Sequence, residues 1–151
     1  MQTPIEIVKQ FGQKKSHALV IGDVMLDRYL IGSVGRISPE APVPIVLLKD
    51  KNERAGGAAN VAVNLAMLGI KTHLIGCVGQ DNEALALTHL ISDAGIDTSG
   101  LVLSNTRPTI AKTRIVSGHQ QMMRLDQESI AAFTTAENDA LQANIHVDCK
   151  A

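Results

Sequence analysis

The sequence predicts an α/β fold with an open, mainly parallel β-sheet and helices on both of its faces. The continuously apolar runs at residues 18–21 and 72–78 are typical of strands buried on both faces, as in parallel sheets. Segments with helical periodicity follow these runs, and this alternation indicates βαβ units with right-handed crossovers. Only about three core strands can be counted, whereas such sheets usually have five or six, so we expect an incomplete version of the fold.

The first predicted element is a short helix at the start of the chain. Thr3 and Glu6 have the spacing of a capping box with a proline at the first helical position, so this helix should run to about Phe11. A glutamate among its apolar residues and the lack of a long apolar run indicate that this start is not a secretory signal. The run at residues 18–21 then predicts a core strand that stops at Gly22.

Two β-rich segments follow, at residues 29–34 and 43–49, and the stretch from 29 to 49 carries three prolines. Because proline cannot donate to a β-ladder, these strands are predicted at an edge or outside the main sheet. The small residues at 55–59 predict a loop that opens the next helix. Gly69 predicts the end of that helix as a left-handed C-terminal cap.

The second half of the chain continues the alternation of strands and helices. Residues 83–94 predict a helix whose inward face is formed by Leu85, Leu87, Leu90 and Ile91. The later elements are a strand at 101–103, paired strands at 109–116 and 120–126 around a Ser117-Gly118 turn, and a helix at 135–145. A chain of 151 residues without internal repeats is expected to form one domain.

Composition excludes several classes of protein. A net charge of −1, with one Tyr, two Phe and no Trp, argues against nucleic-acid binding. No apolar run approaches the roughly 20 residues needed to span a membrane. Cys77 and Cys149 lie far apart and have no structural-zinc spacing with the histidines. We therefore expect plain thiols in a reduced, cytoplasmic protein, and no metal site.

The strongest local motif is the small-residue segment Ala55-Gly56-Gly57-Ala58-Ala59-Asn60. Two glycines let backbone N–H groups approach a ligand just before a helix N-terminus, although a tight structural turn explains them equally well. The segment matches neither the dinucleotide fingerprint nor the P-loop. Asn60 and Asn64 share one face of a helix expected to be mostly buried. They either tie down neighbouring backbone or, for Asn60, hold a hydroxyl-rich ligand.

Two groups of charged residues are further candidates. Asp23 and Asp27 follow the first core strand, where open α/β sheets bind ligands, and a carboxylate there can accept sugar hydroxyls or make local loop bonds. The stretch between Asp97 and Asp126 has no acidic residue; its cations include Arg107, Lys112, Arg114 and Arg124. Lys112 and Arg114 would share a strand face and could clamp a phosphate, or simply face solvent.

The segment from Ala55 to Gly79 resembles the first signature of the ribokinase-like (PfkB) carbohydrate kinases. Seven positions match at fixed spacing, among them the glycines, Asn60 and Gly69. The flanking segments at 22–29, 36–44 and 120–126 look like those of the heptose 7-phosphate kinase branch, which feeds ADP-heptose synthesis for lipopolysaccharide. The resemblance covers about residues 16–128. It implies a ribokinase-like fold with a small β lid at about residues 29–49.

The resemblance also implies roles for individual residues. Asp27 matches the aspartate that binds sugar hydroxyls, and Gly56, Gly57 and Asn60 match the di-glycine and asparagine contacts with the sugar. Candidates for the substrate's own phosphate, chosen by charge and by position near the lid, are Arg36, Lys112 and Arg114. The sugar phosphate is the implied small-molecule partner, and the complete enzyme is expected to dimerise through its lid.

The second signature of the family, a Gly-Ala-Gly-Asp stretch with the anion hole and the catalytic base, does not occur in this sequence. The carboxy-terminal nucleotide-binding part is also absent, although the complete enzyme would use ATP and Mg²⁺. We therefore expect residues 1–151 to be the amino-terminal part of a kinase domain, without a catalytic residue and inactive alone. The alternatives are a non-catalytic sugar-phosphate binding or dimerisation module and, least favoured, a generic nucleotide-binding α/β protein.

Overall fold

A computed structural model describes residues 17–148 together with residues 3, 5 and 6, and the side chains up to residue 146. The strands are β1 (His17–Ile21), β2 (Val24–Ile37), β3 (Pro44–Gly57), β4 (Lys71–Gly79), β5 (Leu101–Ser104), β6 (Ile110–Ser117) and β7 (Gln120–Gln127). The helices are α1 (Ala58–Met67), α2 (Asn82–Asp93) and α3 (Thr135–Asp148). The capping box is confirmed, since Thr3 and Glu6 exchange backbone-to-side-chain hydrogen bonds of 2.7 and 3.3 Å. The predicted end of that helix at Phe11 lies outside the described residues.

The predicted parallel sheet is confirmed as a three-stranded layer in the order β1-β4-β5. The central strand β4 is apolar over most of its length, and Leu74, Ile75 and Val78 are almost fully buried. Leu74 and Val78 belong to the core cluster with Leu87 and Ile91 of α2 and with buried alanines of α1. Successive strand side chains alternate between faces, so Ile75 and Cys77 point the other way, to α3. Helices therefore cover both faces of this sheet.

The second sheet has four strands in the order β3-β2-β6-β7. β2 is antiparallel to β3 and parallel to β6, and β6 forms the predicted hairpin with β7. The prolines lie where they were expected, since Pro44 starts the edge strand β3 outside the parallel sheet. β2 and β3 each have 14 residues and extend well beyond the two predicted segments.

Two predictions about local structure are wrong. Residues 55–57 are not part of a loop, because they are the last residues of β3 and pair with Val24–Leu26 of β2. The helix α1 then begins directly at Ala58. Leu85, predicted to point into the core, is 61% exposed, whereas Leu87 and Ile91 of the same helix are buried. Leu85 lies about 200° around the helix from Leu87, so it points away from the core that Ala84, Leu87 and Ile91 contact.

The predicted helix ends are confirmed. Gly69 and Gly95 follow α1 and α2 with φ angles of 80° and 75°, the left-handed conformation expected after a helix C-terminus. At the other end of α2, Asp81 is the N-cap and accepts a 2.8 Å hydrogen bond from the amide of Ala84. The same carboxylate accepts hydrogen bonds from the amide and hydroxyl of Thr109. This carboxylate therefore ties the start of α2 to the start of β6.

Candidate functional site

Asp27 is the fourth residue of the strand β2, so the alternative that it is a loop residue making local bonds is wrong. It belongs to β2, and its neighbours in the sheet are Arg54 on β3 and Lys112 on β6. Its carboxylate Oδ1 accepts a hydrogen bond from Nη1 of Arg114, 87 residues away in the chain. The side chains of Asp27 and Arg114 keep 24% and 22% of their surface exposed, so both remain accessible to a ligand.

The glycine segment passes directly beside this carboxylate. A Cβ on Gly56 would lie 2.5 Å from Oδ2 of Asp27 and 2.9 Å from Cγ of Met25. Gly57 turns the chain from β3 into α1 with a φ of 56°, and a Cβ there would collide with the carbonyl oxygen of Asp23. The helix then starts with the amide of Ala58 donating to that same carbonyl at 2.9 Å. The two glycines therefore let the backbone pack directly against Asp23, Met25 and Asp27, where there is no room for a side chain.

Arg114 and Arg54 approach the ring of Tyr29 from the strands on either side of β2. Their guanidinium carbons lie 5.3 and 5.8 Å from the ring centroid, within the range of cation–π contacts. The hydrogen bond to Asp27 raises the pKa of Arg114 above its ordinary value, with partial burial acting in the opposite direction. Arg54 makes no ion pair with any residue that the structure describes.

Lys112 shares the strand face of Arg114, as predicted, and it lies among carboxylates. Its ammonium is 3.5 Å from carboxylate oxygens of both Asp126 and Glu128. Arg124 on β7 binds Asp126 with both Nε and Nη2, at 2.8 and 2.9 Å. These ion pairs, the hydrogen bond from Arg124 first, hold the pKa of Asp126 below its usual value. The face is therefore mixed in charge, and most of its cations already have a partner.

The structure does not bring all the candidate residues together. Arg36 lies nine positions beyond Asp27 on the same extended strand, which corresponds to roughly 30 Å at the usual rise per residue. Asn60 and Asn64 are exposed, contrary to the prediction of buried amides, and they bind each other at 3.4 Å. Asn60 nevertheless lies only three residues after the bend at Gly57, in the first turn of α1. Asp23 is exposed at the same bend.

Tyr29 and Arg54 were not among the residues predicted from the sequence, and the structure places both beside Asp27 and Arg114. A usable signal existed for Arg54, because it directly precedes the glycine segment, and an antiparallel partner strand would place it opposite Asp27. Arg28 also has a well-defined place, but on the other face of β2. There its guanidinium binds Glu53 at 2.7 Å and Glu83 of α2 at 3.2 Å, which ties the strand pair to the parallel layer.

The described residues do not fit a resident metal ion. No group of three or more His, Cys, Asp and Glu side chains among them could hold one.

Between α3 and the parallel sheet lies a separate cleft of about 280 Å³, lined largely by apolar side chains including Ile75, Leu141 and Ile145. Nowhere in residues 17–148 is a helix long and apolar enough to cross a membrane.

Comparison with known proteins gives a consistent relationship. The sequence profile of the pfkB family of carbohydrate kinases matches residues 15–149. The bifunctional protein HldE of Methylobacillus flagellatus is 61% identical over 139 residues, which are 92% of this chain and 28% of that protein. HldE of Pasteurella multocida is 51% identical over 128 residues, 85% of this chain and 26% of that protein. This chain thus spans about a quarter of the length of the curated relatives that it matches.

Solved structures share the fold. The ribokinase of Cryptococcus neoformans in complex with ADP superposes with a TM-score of 0.58 at 20% identity, over 80% of this chain and 37% of that chain. A sugar kinase of Pyrococcus horikoshii in complex with ATP gives 0.54 at 27% identity, over 83% of this chain and 39% of that chain. The predicted fold class, an incomplete ribokinase-like α/β fold, is therefore confirmed.

Proposed function

This chain belongs to the pfkB family of carbohydrate kinases, and on that premise we propose that it is the amino-terminal, sugar-binding half of an ATP-dependent heptose 7-phosphate kinase. The complete enzyme phosphorylates the anomeric hydroxyl to give heptose 1,7-bisphosphate for ADP-heptose and lipopolysaccharide core synthesis in the cytoplasm. The extensive identity to HldE proteins supports this assignment. So does the match of residues 22–29, 36–44 and 120–126 to the heptose kinase branch.

The observation that carries the proposal is the contact between the Asp27 carboxylate and the glycine bend. A carboxylate accepts two or more hydrogen bonds, so it can hold adjacent hydroxyls of a polyol. The glycines let the backbone lie close to this carboxylate, and Gly57 is exposed at the bend, so a sugar ring can approach the backbone beside Asp27. Asn60 is exposed three residues after the bend, and its amide can both donate hydrogen bonds to sugar hydroxyls and accept them. Together these groups orient the sugar for in-line transfer without taking part in bond making.

Lys112 and Arg114 are proposed to hold the phosphate that the substrate already carries. They share one face of β6, and a phosphate accepts hydrogen bonds from guanidinium and ammonium groups more strongly than from neutral donors. Arg36 is too far along β2 to join them within one chain. It contributes to the site only if the lid of a second copy delivers it.

Phosphoryl transfer itself is assigned to parts of the kinase outside these 151 residues. ATP and Mg²⁺ supply the transferred group and the charge neutralisation in kinases of this class. The described residues contain no cluster suited to the metal, and the sequence has neither a phosphate loop nor the Gly-Ala-Gly-Asp signature. Residues 1–151 alone are therefore proposed to bind the acceptor sugar and to be catalytically inactive.

Titration calorimetry of the 151-residue chain with heptose 7-phosphate tests the proposal. Binding that is lost in Asp27→Asn and retained in Asp93→Asn would support it, since Asp93 is an exposed carboxylate at the end of α2. Thermal melts followed by circular dichroism establish that both variants are folded. Undiminished binding in Asp27→Asn would refute the sugar site, and turnover of ATP by the purified chain would refute the assigned inactivity.

A second candidate is a non-catalytic module that binds sugar phosphate or dimerises through its lid. The observation that favours dimerisation is the outer half of the β2–β3 pair, where Ile37, Val43, Leu47 and Leu48 are each more than half exposed. A second copy would cover these side chains. Sedimentation equilibrium of Leu47→Lys against the unmodified chain tests this, and a monomer in both would exclude it.

A further inference from the structure

Arg54 is unusual among the cations near Asp27 because it has no carboxylate partner among the residues that the structure describes. Lys112 and Arg124 contact Asp126, and Arg114 binds Asp27. Arg54 lies directly opposite Asp27 in the β2–β3 register, yet its guanidinium is placed over Tyr29 instead. It is also exposed. A positive charge is therefore available at this point on the surface of the site.

A second feature is that Asp27 is already occupied on one side. Arg114 holds Oδ1, whereas Oδ2 lies against the backbone at Gly56. A sugar that binds both carboxylate oxygens must displace the guanidinium of Arg114 from Asp27. If the sugar is neutral, the displaced guanidinium has no other anion in the ligand to bind. A phosphorylated sugar carries such an anion, and guanidinium groups bind phosphate with paired, charge-assisted hydrogen bonds.

We propose that Arg54 determines specificity for phosphorylated sugars: with Arg114 it forms a two-guanidinium anion site beside Tyr29, and the bound phosphate draws Arg114 from Asp27. This inference rests on the proposed function and extends it to how the substrate class is selected. Tyr29 keeps both guanidinium groups near its ring, so the anion site is prepared before the ligand arrives. Release of Asp27 then couples recognition of the phosphate to recognition of the hydroxyls.

The experiment compares two ligands, heptose 7-phosphate and the same heptose without phosphate, by titration calorimetry on the full 151-residue chain. We expect the unmodified chain to prefer the phosphorylated sugar. Arg54→Gln should reduce this preference about tenfold. Arg54→Lys should reduce it less, because lysine keeps the positive charge although it lacks the paired N–H donors of the guanidinium. Lys49→Gln is the matched control, since Lys49 is an exposed cation on the same strand, away from Asp27. It should leave the preference unchanged.

Arg114→Gln provides the sharper test because the two ligands should respond in opposite directions. The phosphorylated sugar should bind more weakly, while the unphosphorylated heptose should bind at least as tightly as to the unmodified chain, since Asp27 is no longer occupied. A merely structural role for Arg114 would weaken both ligands by the same factor. Thermal melts establish that each variant is folded.

The outcomes separate this inference from the proposed function. Equal weakening of both ligands in Arg114→Gln, or an unchanged preference in Arg54→Gln, overturns the inference while sugar binding itself stands. Binding of neither ligand by the folded, unmodified chain overturns the proposed function and the inference with it.

Discussion

Oδ2 of Asp27 lies 2.5 Å from the position that a Cβ on Gly56 would occupy. A methyl group there cannot coexist with the present position of the carboxylate, which Arg114 holds on its other side. The absence of a side chain at position 56 and the position of the carboxylate at 27 are therefore two parts of one arrangement.

Gly56→Ala is predicted to abolish binding of heptose 7-phosphate. The new methyl group would displace the Asp27 carboxylate and press on Met25, at a cost of about 1–3 kcal/mol typical of overpacking. Calorimetry measures the binding, and chemical denaturation measures the free energy of unfolding. Gly35→Ala is the control, since a Cβ at position 35 meets nothing within 4 Å. Unaltered affinity in Gly56→Ala would show that the carboxylate does not bind the sugar from its present position.

The contact between Arg28 and Glu83 predicts a stability effect that is separate from the site. Arg28→Met should lower the free energy of unfolding by about 1–3 kcal/mol, because it removes charge-assisted hydrogen bonds to Glu53 and Glu83 that are about four-fifths buried. Chemical denaturation of Arg28→Met, Glu83→Gln and the double variant gives the coupling between the two residues.

Lys51→Met is the control for this network. It removes only the ion pair between Lys51 and Glu53. Because Lys51 is half exposed, the free energy of unfolding should fall by less than about 1 kcal/mol. Additive effects of Arg28→Met and Glu83→Gln would contradict a direct link between the strand pair and α2.

The parallel layer was predictable from the sequence because its strands are continuous apolar runs, whereas the strand pair was predictable only in part. Charged residues at 27–28 and 53–54 interrupt the β pattern and favour loops in any local interpretation. In the folded chain, Arg28 finds Glu53 and Glu83, and Asp27 finds Arg114, so the strands continue through them. These partners are remote in sequence, and local propensity carries no information about them.

The candidate site was likewise predictable only in part, because some of its features follow from local sequence and others from contacts between remote residues. Asp27 and the glycines could be selected by motif, but the proposed role of Arg54 depends on the register between β2 and β3, which places it opposite Asp27. Asn60 and Asn64 were expected to be buried because their helix is otherwise apolar. Val61 and Met67 of that helix are 50% and 80% exposed, so the core covers less of α1 than its composition suggests.

Glu137 is predicted to make the protein sensitive to acid. It is buried, and hydrogen bonds, first from the hydroxyl of Ser104 and then from Thr134 and Thr106, lower its pKa to about 2. The folded state thus binds this proton less readily than the unfolded state, with its ordinary pKa near 4.5. The stabilisation is complete above about pH 4.5 and is lost as the pH falls towards 2.

Thermal melts between pH 6 and about pH 2.5 measure this contribution. Glu137→Gln should melt at a lower temperature at neutral pH and lose less on acidification than the unmodified chain. Glu40→Gln, at an exposed position, should follow the unmodified chain throughout. Parallel pH profiles for Glu137→Gln and the unmodified chain would contradict the assignment.

Asp81 is predicted to be the most sensitive polar residue outside the site, because one carboxylate serves two elements. Oδ1 accepts hydrogen bonds of 2.8 Å from the Ala84 amide and 2.7 Å from the Thr109 hydroxyl, and Oδ2 accepts one of 2.8 Å from the Thr109 amide. Although burial acts to raise it, these bonds hold the pKa of Asp81 below its usual value. Thr109 is fully buried, so water cannot replace the carboxylate as the acceptor for its amide and hydroxyl.

Asp81→Ala should therefore lower the free energy of unfolding by about 2–4 kcal/mol, since the loss of an N-cap adds to donors left unpaired in the interior. Asp81→Asn keeps an oxygen acceptor, so its free energy of unfolding should fall by less than that of Asp81→Ala. Asp93→Ala, which removes an exposed carboxylate from the opposite end of α2, should change stability by less than about 0.5 kcal/mol. If chemical denaturation gives Asp81→Ala and Asp93→Ala the same stability, the carboxylate at 81 does not join α2 to β6 energetically, and the alignment of these elements comes from apolar packing alone.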